Sequence, residues 1–220
     1  MSAEREKLVI FGAGGFGKEV AWQITSSARL NEQYEIIGYL DNNEALLSHE
    51  INGYPVLGDE NWLKTNQDEL NIIIAVGSVK KRKKIYGTIS GYKNIKFPTI
   101  IADGVLHSDT VTFGRGCFIC FYNVLTCNIT IGDFVILSLD CTVGHDAKID
   151  NFVTVYPSVT ISGNTHLKEG VEIGTCSAII QGKTVGENTI IGAGAVVVKD
   201  LPSDCTAVGI PAKPIKFHNQ

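Results

Sequence analysis

Two groups of residues in this 220-residue sequence have types and spacings that suit chemistry. The first is the glycine-rich run at residues 12–17, which follows a short apolar stretch and precedes a segment of helical character. In that context the glycines permit a tight turn, and the N–H groups of the helix terminus can bind phosphate oxygens. The second is His145 beside Asp146, an imidazole next to a carboxylate, which suits a general base near neutral pH.

The segments around the glycine run predict a small α/β domain. Short apolar runs at residues 7–11, 34–40, 71–76 and 94–101 predict strands, and residues 18–29 and 80–86 have helical character. Gly14, Asp41 and Gly77 follow strand ends and would gather at one edge of a parallel sheet, where such sheets bind ligands. The pattern stops near residue 97, which leaves room for a nucleotide rather than a dinucleotide and disfavours a nicotinamide dehydrogenase.

A six-residue repeat fills the rest of the chain and predicts a triangular solenoid with three short strands and eighteen residues per coil. Seventeen positions in steps of six, starting at Ile101, keep one register without an insertion, and sixteen of them are Ile, Leu, Val or Phe. The exception is His107, which we expect to be structural in its inward position. The predicted domains are therefore an α/β domain at residues 1–98 and a parallel β-helix with a C-terminal cap at residues 99–220.

The same register positions His145 for chemistry. His145 is the third residue of its hexad, so its side chain should project outward near a corner, and Gly163 lies one coil above it. Coils are about 4.8 Å apart, so we expect an open notch above the imidazole and a backbone N–H that could bind an oxyanion. His166 is the rival base.

Composition excludes several classes of function. The formal net charge of −4 argues against a broad nucleic-acid or anionic-membrane surface, and no apolar run is long enough to span a bilayer. The N-terminus does not read as a signal peptide, and the six cysteines suggest no disulfide framework, which favours the cytoplasm. Cys117 and Cys120 could form half a zinc site, but Cys117 and Cys141 take small inward slots of the repeat, so no metal is predicted.

The repeats, the preceding domain and the segment Ala-Val-Gly-Ile-Pro-Ala-Lys-Pro-Ile-Lys at residues 207–216 resemble one family. It is the bacterial sugar acyltransferases that include UDP-4-amino-sugar and GDP-perosamine N-acetyltransferases. The resemblance implies a Rossmann-like α/β domain followed by an all-β, left-handed parallel β-helix of hexapeptide repeats. It also implies a homotrimer with acetyl-CoA between adjacent β-helices and no metal.

The resemblance also assigns roles to individual residues. His145 matches the catalytic base of the family, with Asp146 as its acidic neighbour. Phe16 stands where the family often has a histidine, and Thr154 stands where it often has a second histidine near acetyl-CoA. The positions assigned to the sugar nucleotide are Gly14, Gly15, Phe16, Asp41, Asn42, Gly77 and Arg82, and those assigned to acetyl-CoA are Thr154, Gly163, Thr175 and Gly192. Lys183 is added to the acetyl-CoA residues because the phosphates of the coenzyme need positive charge.

The function expected from this resemblance is acetyl transfer from acetyl-CoA to the amino group of a nucleotide-linked amino sugar. The sugar would be a 4-amino-4,6-dideoxy sugar for surface glycan synthesis, attacking the thioester directly with a histidine base. The nucleotide could be UDP, GDP or dTDP. Two alternatives stay open: a sugar O-acetyltransferase of the sialic-acid type, and a non-catalytic binding solenoid.

Overall fold

The structure is a computed structural model that describes residues 5–218. The chain divides into two compact units, with the division between Pro98 and Thr99. The strands of the first unit are β1 (Glu6–Phe11), β2 (Tyr34–Leu40), β3 (Glu50–Ile51), β4 (Tyr54–Gly58), β5 (Leu70–Ile74) and β6 (Ile95–Lys96). Its helices are α1 (Gly15–Ser26), α2 (Ala28–Gln33), α3 (Trp62–Thr65) and α4 (Val79–Ile89), with a 3₁₀ turn at Glu44–Leu46.

The first unit is built on a six-stranded sheet of order β3-β4-β2-β1-β5-β6. All neighbouring strands are parallel except the β3–β4 pair. Leu8, Val9 and Ile10 on the central strand are fully buried, so both faces of β1 are covered, as is usual for parallel sheets. The chain passes to β2 on one side of β1 and to β5 on the other, which opens a crevice at the carboxyl end of β1.

Two features of this unit differ from the sequence prediction. The single strand predicted at residues 94–101 is wrong, because the chain forms β6 and then β7 (Ile100–Ile101) in different sheets. Pro98 lies between them and has no N–H to continue a ladder. The hairpin of β3 and β4 was not predicted. Its two-residue loop, Asn52-Gly53, has both residues at positive φ, a signal visible in the sequence.

The second unit stacks short strands, most of them two residues long, into three solenoid sheets. The first is β7, β10 (Phe118–Ile119), β13 (Ile136–Leu137), β16 (Thr154–Val155), β19 (Glu172–Ile173), β22 (Ile190–Ile191), β24 (Cys205–Val208) and β25 (Lys213–Phe217). The second is β8 (Leu106–His107), β11 (Val124–Leu125), β14 (Thr142–Val143), β17 (Thr160–Ile161), β20 (Ala178–Ile179) and β23 (Val196–Val197). The third is β9 (Thr112–Phe113), β12 (Thr130–Ile131), β15 (Lys148–Ile149), β18 (His166–Leu167) and β21 (Thr184–Val185).

The predicted parallel β-helix is confirmed in its register. Strand residues in the coils pair in parallel with the residue eighteen positions later, as Thr142 does with Thr160. The last coil is shorter, and Ile190 pairs with Thr206, sixteen positions later. The second residue of the strands from β11 to β23 is buried, so aliphatic side chains stack along the axis and each stabilises the fold by about 1.5–3 kcal/mol. Corner residues adopt left-handed backbone angles at six-residue intervals, for example Asp140, Asp146 and Phe152.

One histidine at the start of the solenoid and two cysteines in its interior had predicted positions that the structure tests. His107 was expected to be covered, but it is exposed and packs edge-on against Phe113 at 5.5 Å between ring centroids. Cys117 and Cys141 are fully buried, and burial raises the pKa of the Cys141 thiol to about 11. Among residues 5–218, no helix is both long and apolar enough to cross a membrane.

Candidate functional site

The glycine run forms a tight turn between β1 and α1. Gly12 has a φ of +114°, and its N–H donates to the Leu40 carbonyl at 2.7 Å. A side chain at Gly17 would overlap the Gly12 carbonyl oxygen, so this glycine permits close helix–strand packing. A Cβ at Gly14 or Gly15 would meet nothing within 4 Å. Two glycines therefore shape the turn, and two others leave its outer surface open to a ligand.

The start of α1 is suited to an anion. Gly14 is the N-cap residue, and no side chain caps the helix there. The first-turn N–H groups of a helix have no intrahelical acceptors, and the helix dipole favours negative charge at this end. A phosphate could bind in front of the Gly14–Gly15 peptide.

Asp41 braces this turn from the neighbouring strand. One carboxylate oxygen accepts from the Ala13 N–H at 2.8 Å, and the other accepts from the Asn43 N–H at 2.9 Å. The carboxylate therefore joins the loop after β2 to the loop after β1. Asp41 is partly exposed, so it can also meet a ligand in the crevice.

These loops enclose a cleft of about 550 Å³ at the carboxyl edge of the sheet. Six residues that sequence reasoning assigned to the sugar nucleotide line this cleft, namely Gly14, Gly15, Phe16, Asp41, Asn42 and Gly77. Sequence reasoning missed Asn43, Lys81 and Lys84, which line it as well. The two lysines are three residues apart on α4 and so share a helix face, a signal present in the basic run at residues 80–84.

Arg82 is a correction to the sequence prediction. Its side chain is 1% exposed, and Nη1 donates to the carbonyl oxygens of Val76 and Gly77 at 2.8 Å each. The guanidinium therefore holds the loop after β5 instead of lining the cleft. Sequence spacing alone did not reveal that Arg82 faces inward while Lys81 and Lys84 face the ligand space.

The second candidate site lies on one edge of the solenoid. We call this the His145 edge and define it as the connections from the second to the third solenoid sheet, which contain His145, Gly163 and Lys183. His145 is half exposed, and its Nδ1 lies 2.7 Å from Asp146 Oδ2. Consecutive residues can meet here because Asp146 has a φ of +58°, which turns the chain at the corner.

This geometry specifies what His145 can do. A carboxylate that is hydrogen-bonded to Nδ1 holds an imidazole in one orientation and one tautomer. In that tautomer Nδ1 carries the proton, and Nε2 can accept one from a substrate. Hydrogen bonds from His145 and then Asn128 hold the pKa of Asp146 below its ordinary value, so the carboxylate stays ionised near neutral pH.

Gly163 makes room for the imidazole itself. A Cβ on Gly163 would lie 2.6 Å from His145 Nε2 and 2.7 Å from Cε1. The sequence predicted an open notch above the histidine, and this is wrong because the His145 ring leans into that space. Gly163 is therefore required by the resting position of the base.

His166 forms a different kind of pair on the third solenoid sheet. Its Nε2 lies 3.0 Å from Asp150 Oδ2, and Lys148 Nζ lies 3.4 Å from the other oxygen of Asp150. The His166 side chain is 23% exposed, about half the exposure of His145. The Nε2 atom of His166 is already hydrogen-bonded to Asp150, and the Asp150 carboxylate also contacts Lys148. His166 is therefore less suited than His145 to accept a proton from a substrate.

The residues that were predicted from the sequence to bind acetyl-CoA fall on separate parts of the solenoid. Gly163 and Lys183 share the His145 edge. Thr175 and Gly192 lie on another edge, which we call the Thr175 edge and define as the connections from the first to the second solenoid sheet. Thr154 lies in β16 and is 1% exposed, so it is the weakest of these candidates. A single solenoid does not bring the two edges together.

No cluster of three or more His, Cys, Asp or Glu side chains suited to a metal occurs within the described part of the chain. The groups that the two candidate sites offer to a ligand are glycine N–H groups, lysines, a carboxylate and an imidazole.

Comparison with known proteins gives matches to both units. Residues 7–89 match the PglD N-terminal domain family. The acetyltransferase domain of PglB from Neisseria gonorrhoeae is 33% identical with a TM-score of 0.87, and the match covers 96% of this chain and 100% of that one. That domain has also been solved in complex with acetyl coenzyme A. A variant of perosamine N-acetyltransferase from Caulobacter crescentus, in complex with CoA and GDP-perosamine, is 26% identical with a TM-score of 0.85 over 96% and 97% of the two chains.

Matches among curated sequences are shorter. A serine acetyltransferase from Synechococcus elongatus is 36% identical over 92 residues, which is 38% of this chain and 38% of that enzyme. The chain thus spans less than half the length of the first curated relatives it matches. The stacked parallel strands and these hexapeptide-type neighbours fit a left-handed β-helix preceded by an α/β domain.

Proposed function

Because the chain belongs to the sugar N-acetyltransferase family, we propose that it acetylates the amino group of a nucleotide-linked amino sugar with acetyl-CoA. The sugar is of the 4-amino-4,6-dideoxy class used in surface glycans. The observation that carries this proposal is the bond between His145 Nδ1 and Asp146 Oδ2 on an exposed edge of the solenoid. A cleft of nucleotide size in the first unit supports it.

The reaction needs one proton acceptor and one stabiliser of developing negative charge. The sugar amine attacks the thioester carbon, and His145 Nε2 takes the proton that the nitrogen loses. The carbonyl oxygen becomes an oxyanion, for which the Gly163 N–H is the proposed donor. The carbon–sulfur bond then breaks, and the coenzyme A thiolate takes the proton from the His145 imidazolium, which restores the neutral base. Asp146 orients the ring and stabilises the imidazolium.

The first unit acts in this proposal as a Rossmann-like domain for the sugar nucleotide. The uncapped start of α1 binds one phosphate, and Lys81 and Lys84 neutralise the charge of the diphosphate. Asp41 and Asn42 contact the ribose, and Phe16 and Gly77 bound the cleft. The open surface at Gly14 and Gly15 supports this arrangement, since the backbone there can approach a phosphate closely.

Neutralising the cleft lysines should weaken sugar-nucleotide binding selectively. We expect Lys81→Met and Lys84→Met each to raise the KM for the sugar nucleotide by about tenfold to 150-fold, the range for one charge-assisted hydrogen bond. The KM for acetyl-CoA should stay unchanged. Lys80→Met is the matched control, because Lys80 is on the same helix and is exposed but does not line the cleft. Steady-state kinetics with each substrate varied in turn would measure this, and equal effects at Lys80 would contradict it.

Acetyl-CoA is proposed to bind between copies of the chain. The His145 edge carries Gly163 and Lys183, and the Thr175 edge carries Thr175 and Gly192, so a cleft between two copies would combine residues that one solenoid separates. Exposed apolar side chains on the second solenoid sheet, Leu106 and Val124, support a contact between copies. We propose a homotrimer that works in the cytoplasm, where all six cysteines stay free.

Light scattering on the purified chain should therefore give the mass of a trimer. Leu106→Glu combined with Val124→Glu should shift the mass toward the monomer and raise the KM for acetyl-CoA, because the intersubunit cleft is lost. Unchanged circular dichroism would show that the monomer is folded. A wild-type monomer with full activity would contradict the trimer.

Partial similarity to a serine acetyltransferase favours one second candidate, acetylation of a hydroxyl. The same base and the same acetyl donor would serve an alcohol. Release of the coenzyme A thiol should be followed with an amino-sugar nucleotide, with its hydroxyl analogue, and with no acceptor. Rapid release with the amine alone supports N-acetylation, release with the hydroxyl analogue supports O-acetylation, and none with either supports a non-catalytic solenoid.

A further inference from the structure

Asn128 lies on the His145 edge and contacts the carboxylate that binds the histidine. Its Nδ2 donates to Asp146 Oδ1 at 3.2 Å, while Asp146 Oδ2 is 2.7 Å from His145 Nδ1. Both oxygens of one carboxylate are thus engaged, one by the amide and one by the imidazole. The three side chains form a continuous chain of hydrogen bonds that ends at the proposed base.

The solenoid backbone builds this arrangement. Asn128 and Asp146 are eighteen residues apart and take the same corner position on successive coils, with φ angles of +56° and +58°. The Asp146 N–H donates to the Cys127 carbonyl at 3.0 Å, which fixes the two corners against each other. The Asn128 N–H donates to Thr110 Oγ1 at 2.8 Å on the coil below. The backbone of Asn128 is therefore hydrogen-bonded to the preceding coil, and its side-chain amide is directed toward Asp146 on the following coil.

We propose that Asn128 is a positioning residue that fixes the Asp146 carboxylate so that His145 keeps one orientation and one tautomer. This inference rests on the proposed role of His145 as general base. The Asp146 side chain is 46% exposed, so without a second partner its carboxylate could turn toward water. A donor on Oδ1 restricts that rotation and keeps Oδ2 toward Nδ1.

The electrostatic surroundings agree with this role. The pKa of Asp146 lies below its ordinary value because of the hydrogen bonds from His145 and then from Asn128. The other titratable or charged side chains in the connections of this edge, and at the start of β15, are Asp109, Cys127, Lys148, Lys183, Lys199 and Asp200. None of them is among the groups that shift the pKa of Asp146, which leaves Asn128 as its partner besides the histidine.

The test removes the amide without straining the corner. Asn128→Gly deletes the side chain and keeps a residue that accepts positive φ. Asn188→Gly is the matched control, because Asn188 also has a left-handed backbone and its Nδ2 donates to Asp204 Oδ1 at 3.2 Å on a different edge. Asn128→Gly should lower kcat by about threefold to tenfold, the size expected for one hydrogen bond, with both KM values unchanged. Asn188→Gly should leave kcat unchanged.

A second readout does not depend on activity. In the wild type, ¹⁵N NMR of the neutral His145 ring should show Nδ1 protonated and Nε2 unprotonated, and Asn128→Gly should populate the other tautomer. In the plot of kcat against pH, Asn128→Asp should move the fall in activity at low pH to a higher pH, because a second carboxylate stabilises the imidazolium. An unchanged tautomer together with an equal loss of kcat in both glycine variants would overturn the inference. If no acetyl transfer is found at all, the proposed function fails while the NMR result still decides the role of Asn128.

Discussion

Replacing His145 by alanine is expected to lower kcat by about 10²–10⁴-fold, the usual contribution of a positioned general base. The KM for both substrates should change little, because the imidazole acts mainly in the transition state. The structure gives this prediction a specific basis: Nδ1 is bonded to Asp146, so Nε2 is the nitrogen that accepts the proton of the amine. Steady-state kinetics with saturating acetyl-CoA would measure the loss.

His166→Ala is the matched control for that experiment. His166 is also paired with an aspartate, and it lies one coil along the same solenoid. Because its Nε2 is already engaged and Asp150 also faces Lys148, we expect kcat to change by less than about threefold. A large loss at His166 with near-normal turnover of His145→Ala would move the base to His166. No loss in either variant would favour direct attack by an already neutral amine.

Gly163→Val should also abolish most of the activity. A Cβ at this position would lie 2.6 Å from His145 Nε2, and the two methyl groups of valine would drive the ring out of its resting position. Misplacing a catalytic group by about 1 Å costs on the order of 10²-fold in rate. Gly163→Ala should show a smaller loss, since the histidine can move partly aside.

Strain in the solenoid must be separated from displacement of the base. Gly132→Ala provides that comparison, because its Cβ would lie 2.5 Å from Asn151 Oδ1 and 2.9 Å from the Asn151 nitrogen, away from the His145 edge. We expect both alanine variants to lower the melting temperature, and only the Gly163 variant to lower kcat in the protein that stays folded. Normal turnover of folded Gly163→Val would show that the ring does not need this space.

The solenoid could be predicted because aliphatic residues recur at every sixth position of the sequence, and this spacing fixes the register of the coils. A step of six residues places one aliphatic side chain in each strand, so residues eighteen apart lie at equivalent positions of successive coils. Gly163 could therefore be placed above His145 from the sequence alone. The cleft could be predicted for a related reason. Loops after parallel strands meet at one edge, and Gly14, Asp41 and Gly77 do line one cleft.

What the sequence could not supply was the direction of individual side chains. Arg82 and Lys81 are neighbours on α4, but the arginine turns inward to two carbonyl oxygens while the lysine lines the cleft. The contact of His145 with Asp146 depends on a left-handed corner, and the closing of the notch depends on the rotamer of the imidazole. The position of Asn128 beside Asp146 could have been predicted from the sequence, because the two residues are eighteen positions apart in the repeat. The hydrogen bond between their side chains could be identified only in the structure.

The most direct test of the proposed function is the chemical identity of the product. The full chain should be incubated with acetyl-CoA labelled with ¹³C at the carbonyl and with UDP-, GDP- and dTDP-linked 4-amino-4,6-dideoxy sugars, and the product examined by NMR. We predict that one nucleotide series gives a product whose labelled carbonyl couples to an amide proton on the sugar ring, and that His145→Ala gives almost none. A labelled carbonyl found in an ester, or no acetylated sugar in any series, would contradict the proposed N-acetylation.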